Sequence, residues 1–313
     1  MTIAICLKVG DGVVLGTDSA ASLIGENDRY FNVYNNAEKT INLVKGLPIG
    51  LMTYGLGGLA GLSIGSLARD LRQRLSGEDP AHPEWALDPS EYTVEEVAQR
   101  VRDFFYDGLY APEFGNPMAL GPDTSEPDAE WDGEGGAPGA EAPEFPTLGF
   151  VVAGLSAASY YSEVWTVTIE SDGRCTGPEQ RFGQGESGVA DFWGMPEALY
   201  RLVYGWSHEA HLRVVQAGIA PEMADQLLVS RTELAHPGMP LQDAIDLVEY
   251  LADVTVGYVR FKQGVPAVAP PIDIAVVTRH QGFKWVARKH YFTRDLNPPA
   301  DGTARTNKRM GAI

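Results

Sequence analysis

Only two cysteines, Cys6 and Cys175, occur in 313 residues, which excludes a disulfide framework and suits a reducing compartment. Basic residues are scarce too: 24 Lys and Arg stand against 42 Asp and Glu, for a formal net charge of -18. That surplus repels nucleic acid and anionic membrane surfaces, so neither is expected as a partner. No apolar run approaches the roughly 20 residues needed to cross a bilayer. The opening residues lack a basic stretch and are interrupted by Lys8 and Asp11, unlike a signal peptide. The expected location is therefore cytoplasmic. No internal repeat is evident.

Hydrophobic residues, at 44%, are ample for a buried core. Between positions 111 and 146 the composition turns to Pro, Gly, Glu and Asp, as in Asp132-Gly133-Glu134-Gly135-Gly136. Such a stretch buries too little apolar surface to offset its ordering entropy and reads as a disordered acidic insertion. Residues 294–313 read as a loose tail. The expectation is one domain over 1–313 that carries this insertion.

The stretch from Thr2 to Gly55 reads as two consecutive β-hairpins. In the first, Thr2 to Val9 turns through Gly10-Asp11-Gly12 into Val13 to Asp18. A turn centred on Asp11 pairs Asp18 with Ala4, so that Thr2, Ala4 and Asp18 share one face. The second hairpin, Lys39 to Val44 and Ile49 to Gly55, places Lys39 opposite Tyr54 and one step from the Gly55 N–H. Thr2 directly follows Met1, and a small residue there favours removal of the methionine. Thr2 would then carry a free α-amino group, with an ordinary pKa of roughly 7.7 to 8.0, able to take the proton from its own hydroxyl. The exposure of Thr2 rests on that removal alone. A buried ammonium nearby favours the deprotonated forms. Acyl transfer from an amide is the reaction this set suits.

Thr2, Gly12-Val13-Val14-Leu15, Asp18-Ser19, Lys39 and the Gly55 to Gly61 stretch together resemble the opening of a proteasome β-type subunit of the N-terminal-nucleophile hydrolases. The resemblance implies an α+β four-layer αββα sandwich. It also implies a threonine-type peptidase in which Thr2 attacks, Asp18 and Lys39 tune it, and the Gly55 N–H holds the oxyanion. Ala21 and Ser22 fall where that family aligns a peptide through backbone contacts. Ser187 is the candidate for a serine that backs up the nucleophile, with Glu186 as its rival and a plain turn as the alternative. No cofactor or metal is implied. The expected partners are peptide or unfolded-protein substrates, copies of the same chain in a ring or stack, and an unfoldase. The alternative is a non-catalytic scaffold subunit. One departure from the family pattern concerns a supporting aspartate expected between the late helix and the final strands. Lys262 to Pro271 contains no acid, and Asp253 and Asp273 only flank it.

Elsewhere, Gly55 to Gly61 lacks the Gly-Lys-Ser/Thr ending of a phosphate loop. Helices are expected at Leu62–Leu75, Val94–Leu109, from about Asp191 to Ala217, at Pro221–Ser230 and at Leu241–Phe261, by their apolar spacing. Strands are expected at Thr147–Gly154, Glu163–Ile169 and in a closing hairpin at Ile272–Val277 and Gly282–Val286. His208 and His211 share a helix face, but no third metal ligand is apparent and the His-Glu-x-x-His spacing is not met.

Overall fold

The computed structural model describes residues 2–24, 30–115, 145–228, 230, 232–263 and 267–289. Most of the expected insertion and the whole expected tail lie outside these residues. The chain is a mixed α/β protein built on two five-stranded antiparallel sheets.

The strands are β1 (Ile3–Val9), β2 (Gly12–Thr17), β3 (Ala21–Ile24), β4 (Tyr30–Tyr34), β5 (Thr40–Asn42), β6 (Ile49–Gly55), β7 (Gly58–Leu59), β8 (Leu62–Ser63), β9 (Leu148–Gly154), β10 (Glu163–Ile169), β11 (Cys175–Phe182), β12 (Val189–Gly194), β13 (Asp273–Thr278) and β14 (Gly282–Ala287). One sheet has the order β12-β1-β2-β13-β14 and the other β11-β10-β9-β6-β5; β3-β4 and β7-β8 are small ladders. The main helices are α1 (Ile64–Leu75), α2 (Val94–Arg102), α3 (Ala111–Phe114), α4 (Glu197–Leu199), α5 (His208–Gln216), α6 (Pro221–Leu228) and α7 (Leu241–Phe261).

Alternation along the strands sorts the apolar residues into separate cores. Ile3, Ile5, Leu7 and Val9 of β1 pack with Val248, Leu251 and Ala252 of α7. Ala4 and Cys6, from the other face of β1, cluster with Met52, Val151 and Ala153 of the second sheet. Leu51, Phe150 and Val152 of that sheet join Leu71 of α1 and Val97 and Val101 of α2 in a third core. α7 crosses β2 at Gly16, where a Cβ would lie 2.5 Å from Val248 Cγ1; no larger residue fits that crossing.

The expected helix at Val94 starts where Thr93 caps it, its hydroxyl accepting from the Glu96 N–H at 3.0 Å. Beyond Arg102 the chain widens into a π-helical stretch, Asp103–Tyr110, and continues as α3 past the expected boundary of the insertion at 111. One expectation is corrected: Val189–Gly194 is strand β12, the edge partner of β1, rather than the start of a helix. A strand not expected, β11 (Cys175–Phe182), pairs with β10.

Both hairpin registers also differ from expectation by one residue. The β1–β2 loop is the two residues Gly10 and Asp11, so Ala4 pairs with Thr17 and not with Asp18. In the second hairpin Thr40 pairs with Met52, and the Thr53 N–H donates to the Lys39 carbonyl at 2.9 Å, so Lys39 faces Thr53 rather than Tyr54. A one-residue slip exchanges faces along a strand. Asp18 and Lys39 escape that consequence because each lies just outside its strand, where the backbone is free to turn the side chain.

Candidate active site

Thr2 lies just before β1, which runs between β12 and β2 in its sheet. Its carbonyl accepts from the Met195 N–H at 2.7 Å, which ties this end of the chain to the segment after β12. Thr2 is 3% exposed. It lines a cavity of about 40 Å³ with Ala20, Ala21, Lys39, Thr53 and Gly55.

Asp18, the residue after β2, has no exposed surface. Its carboxylate accepts four hydrogen bonds. Oδ1 takes the Ile3 N–H at 3.1 Å and the Lys39 Nζ at 2.7 Å. Oδ2 takes the Ala20 N–H at 2.9 Å and the Ala269 N–H at 3.2 Å. Four donors satisfy both oxygens of an ionised carboxylate and hold it in one orientation. The Ile3 N–H belongs to the peptide that follows Thr2, so Asp18 touches the candidate nucleophile's own backbone.

Lys39 is 6% exposed. Burial pushes its pKa below the ordinary 10.5, and the Asp18 charge and hydrogen bond push it back up. Lys289 lowers it further, and Asp273 raises it. A lysine so placed gives up its proton more readily than a solvated one while remaining hydrogen-bonded to Asp18.

Gly55 ends β6 with φ +90°, and a Cβ there would stand 2.3 Å from the Thr147 carbonyl oxygen. Only glycine fits, so the backbone turns into the cavity wall without a side chain. Beside it, Glu38 lines the same cavity and is paired with Arg69 of α1 and with Arg288.

Thus Thr2, Asp18, Lys39, Gly55 and Ala21 are brought together. β3 pairs Ser22 with Val33 of β4. Ser187 is not brought there. β12 runs antiparallel to β1 with Val189 opposite Lys8 and Gly194 opposite Ile3, so Ser187 lies at the far end of β1, about 20 Å of strand away from Thr2. Its buried hydroxyl lines a different cavity with Lys8 and Pro237. Glu186, its rival, instead accepts from the Gly183 N–H at 2.7 Å. Among the described residues no group of three or more His, Cys, Asp and Glu side chains could hold a metal ion. His211 packs against Trp206, and the side chain of His208 lies outside the described residues.

Sequence reasoning missed Lys289 and the Ala269 N–H, and it named Ser19 and Asp273 without giving either a role here. The acid-free segment before β13 contributes its backbone, Ala269 N–H to Asp18. Ser19, Asp273 and Lys289 form a buried cluster beside Asp18: Lys289 Nζ donates to Asp273 Oδ2 at 2.6 Å and to Ser19 Oγ at 2.7 Å. A lysine that follows an apolar strand and an acid that opens the partner strand were the available signals.

The fold and this cavity describe a mixed α/β protein with a buried lysine–aspartate pair beside Thr2. No family model and no curated protein matches the chain. Solved structures do. They include Anbu (ancestral beta-subunit) from Yersinia bercovieri, at 10% identity and TM-score 0.44, covering 92% of this chain and 88% of that one. Another is the helical assembly of the Anbu complex from Pseudomonas aeruginosa, at 13% and 0.45, covering 92% and 88%. A third is the Anbu (Gly-1) mutant from Hyphomicrobium sp. strain MC1, at 13% and 0.45, covering 100% and 99%. The resemblance to proteasome β-type subunits is corrected accordingly: the matched structures are Anbu proteins, a distinct, proteasome-like family. Among the described residues, no helix is long and apolar enough to cross a membrane.

Proposed function

We propose that this chain is an amide or peptide hydrolase whose nucleophile is the Thr2 hydroxyl, freed when Met1 is removed. The observation that carries the reading is the buried Asp18–Lys39 pair, 2.7 Å apart, in which Lys39 lines the same cavity as Thr2 and Asp18 accepts from the peptide N–H that follows Thr2. The Thr2 oxygen adds to the substrate carbonyl while its proton passes to the α-amine, whose pKa the neighbouring ammonium lowers. The resulting oxyanion is stabilised by the Gly55 N–H. Collapse expels the substrate amine, which takes the proton, and leaves an ester on Thr2. Water then adds to the ester and releases the acid. No cofactor enters this sequence.

The three apolar cores support reading the architecture as a four-layer αββα sandwich in one domain, with the two sheets as its inner layers. Exposed Leu212, Met223 and Leu227 on α5 and α6 support self-association of the chain. Substrate peptides, ring or stacked copies and an unfoldase remain part of the same reading.

Intact mass and peptide hydrolysis test it together. Loss of Met1, labelling by an electrophile that needs both hydroxyl and free amine, and loss of both labelling and hydrolysis in Thr2→Ala are expected. Full hydrolysis in Thr2→Ala would exclude Thr2 as nucleophile, and retained Met1 would favour the scaffold alternative.

A further inference from the structure

The Asp18–Lys39 pair is backed by a second buried ion pair that comes from the other end of the chain. Lys289, two residues past β14, and Asp273, the first residue of β13, have side chains 6% and 1% exposed. The Lys289 backbone N–H donates to Asp273 Oδ1 at 2.9 Å, and its Nζ donates to Oδ2 at 2.6 Å, so one residue holds both carboxylate oxygens. Asp273 pairs in register with Thr17, next to Asp18.

Ser19 joins the two pairs. It is fully buried, and each of its polar atoms is engaged. Its hydroxyl accepts from Lys289 Nζ at 2.7 Å and donates to the Pro271 carbonyl at 2.6 Å. Its N–H donates to the Ala269 carbonyl at 3.2 Å, and its own carbonyl accepts from the Ala37 N–H at 3.0 Å. Ser19 therefore binds both the segment that donates to Asp18, through Ala269, and the segment that carries Lys39, through Ala37.

We propose that Lys289 is a positioning residue of the Thr2 centre: held by Asp273, it fixes Ser19 and thereby sets the placement of Asp18 and Lys39. The proposal rests on the hydrolase reading for its catalytic meaning. A buried charge held on two sides is costly to move, which suits it to define geometry. The charged groups facing Lys39 are Asp18 after β2, Asp273 on β13 and Lys289 after β14; Glu38, its chain neighbour, is occupied by Arg69 and Arg288. Removing Lys289 takes away a positive charge and leaves the Asp273 carboxylate unpaired, and both changes favour the protonated form of Lys39 and of the Thr2 amine.

Lys289→Met, Lys289→Arg and Ser19→Ala are compared with the wild type and with Thr2→Ala. Three readouts are followed: hydrolysis across pH, labelling of Thr2, and the titration midpoint of Lys39 followed through its ¹³Cε resonance. Lys289→Met is expected to lower kcat by about tenfold or more with KM little changed, to move the acid limb of the rate profile to higher pH and to raise the Lys39 midpoint. Lys289→Arg, which keeps the charge, is expected to restore the limb. Ser19→Ala, which keeps every charge, is expected to lower kcat without moving it. Lys289→Met that is merely less stable, with limb and midpoint unmoved, overturns the proposal. If Lys289→Met does not fold, an unchanged kcat in Ser19→Ala does so. An inert wild type whose Lys39 midpoint still rises in Lys289→Met would sink the hydrolase reading and leave the positioning role standing.

Discussion

The hydroxyls of Thr17 and Thr40 meet 2.8 Å apart with no exposed surface, joining β2 of one sheet to β5 of the other. The residues next to them are Asp18 and Lys39, so this hydroxyl contact helps to set the spacing between the strand ends that present the carboxylate and the lysine. Thr17→Val leaves the Thr40 hydroxyl buried without its partner and is expected to cost about 1–3 kcal/mol. Thr17→Val/Thr40→Val removes both polar groups and is expected to recover most of that loss. Urea unfolding of the two variants checks the order, and a double variant weaker than the single would count against it.

Asp18→Asn withdraws the charge that holds the Lys39 ammonium. Breaking a buried pair from one side costs about 3–5 kcal/mol. Because Asp18 is what raises the Lys39 pKa against burial, that pKa is expected to fall further in the variant. Hydrolysis is expected to drop by about 10²–10⁴-fold, the usual range for losing an acid–base partner. Steady-state kinetics and the Lys39 resonance measure both effects.

Stability should carry the mark of Lys39 on the alkaline side. Its folded pKa lies below the ordinary 10.5, so between the two values the unfolded chain binds more protons and stability rises with pH. Below the folded pKa the lysine is protonated in both states and its burial penalty is present in full. Compared with Asp18→Asn/Lys39→Met, the wild type is expected to gain stability as pH rises through that window. Equal slopes in chemical denaturation from pH 8 to pH 10 would contradict it.

Cys6 is fully buried and its thiol is pushed far up by desolvation, with Asp191 adding to the effect. The Cys175 thiol is pushed up to about 11, again chiefly by burial. Neither forms much thiolate at neutral pH. Iodoacetamide at pH 8 is expected to leave hydrolysis intact and to alkylate both cysteines only after denaturation. Rapid inactivation that tracks modification of Cys6 would argue against a threonine centre.

Gly55→Ala forces a Cβ to within 2.3 Å of the Thr147 carbonyl oxygen at a left-handed φ of +90°. The strain is expected to cost about 1–3 kcal/mol and to shift the cavity wall. Thermal unfolding and hydrolysis should fall together, and a variant as stable and active as the wild type would refute the packing argument.

Thr2, Asp18, Lys39 and Gly55 were picked out of the sequence as an ordered set, each of them a weak signal alone, and the structure places all four close together. α7 was readable residue by residue from its apolar spacing. The registers were not, since the count of loop residues in Gly10-Asp11-Gly12 admits two pairings that differ by one. Strand β11 went unread because Gly177 and Pro178 interrupt its strand-forming residues, and β12 because Val189 to Gly194 is too short and mixed to show its period. Ser187 was placed by its glycine-rich surroundings, which say nothing about which end of β1 they adjoin. The Lys289–Ser19 contact spans 270 positions, and no local pattern encodes it.

Three of the four donors to Asp18 are main-chain amides, those of Ile3, Ala20 and Ala269. Nearly any residue supplies such a group, proline excepted. The letter at the half-buried Ala269 can therefore drift while the carboxylate's cradle keeps its shape, whereas the buried Ala20 is held small by packing, and an alanine scan would pass over both positions in silence. Three quarters of what orients this acid is written in the course of the chain and would surface only if a proline were placed there.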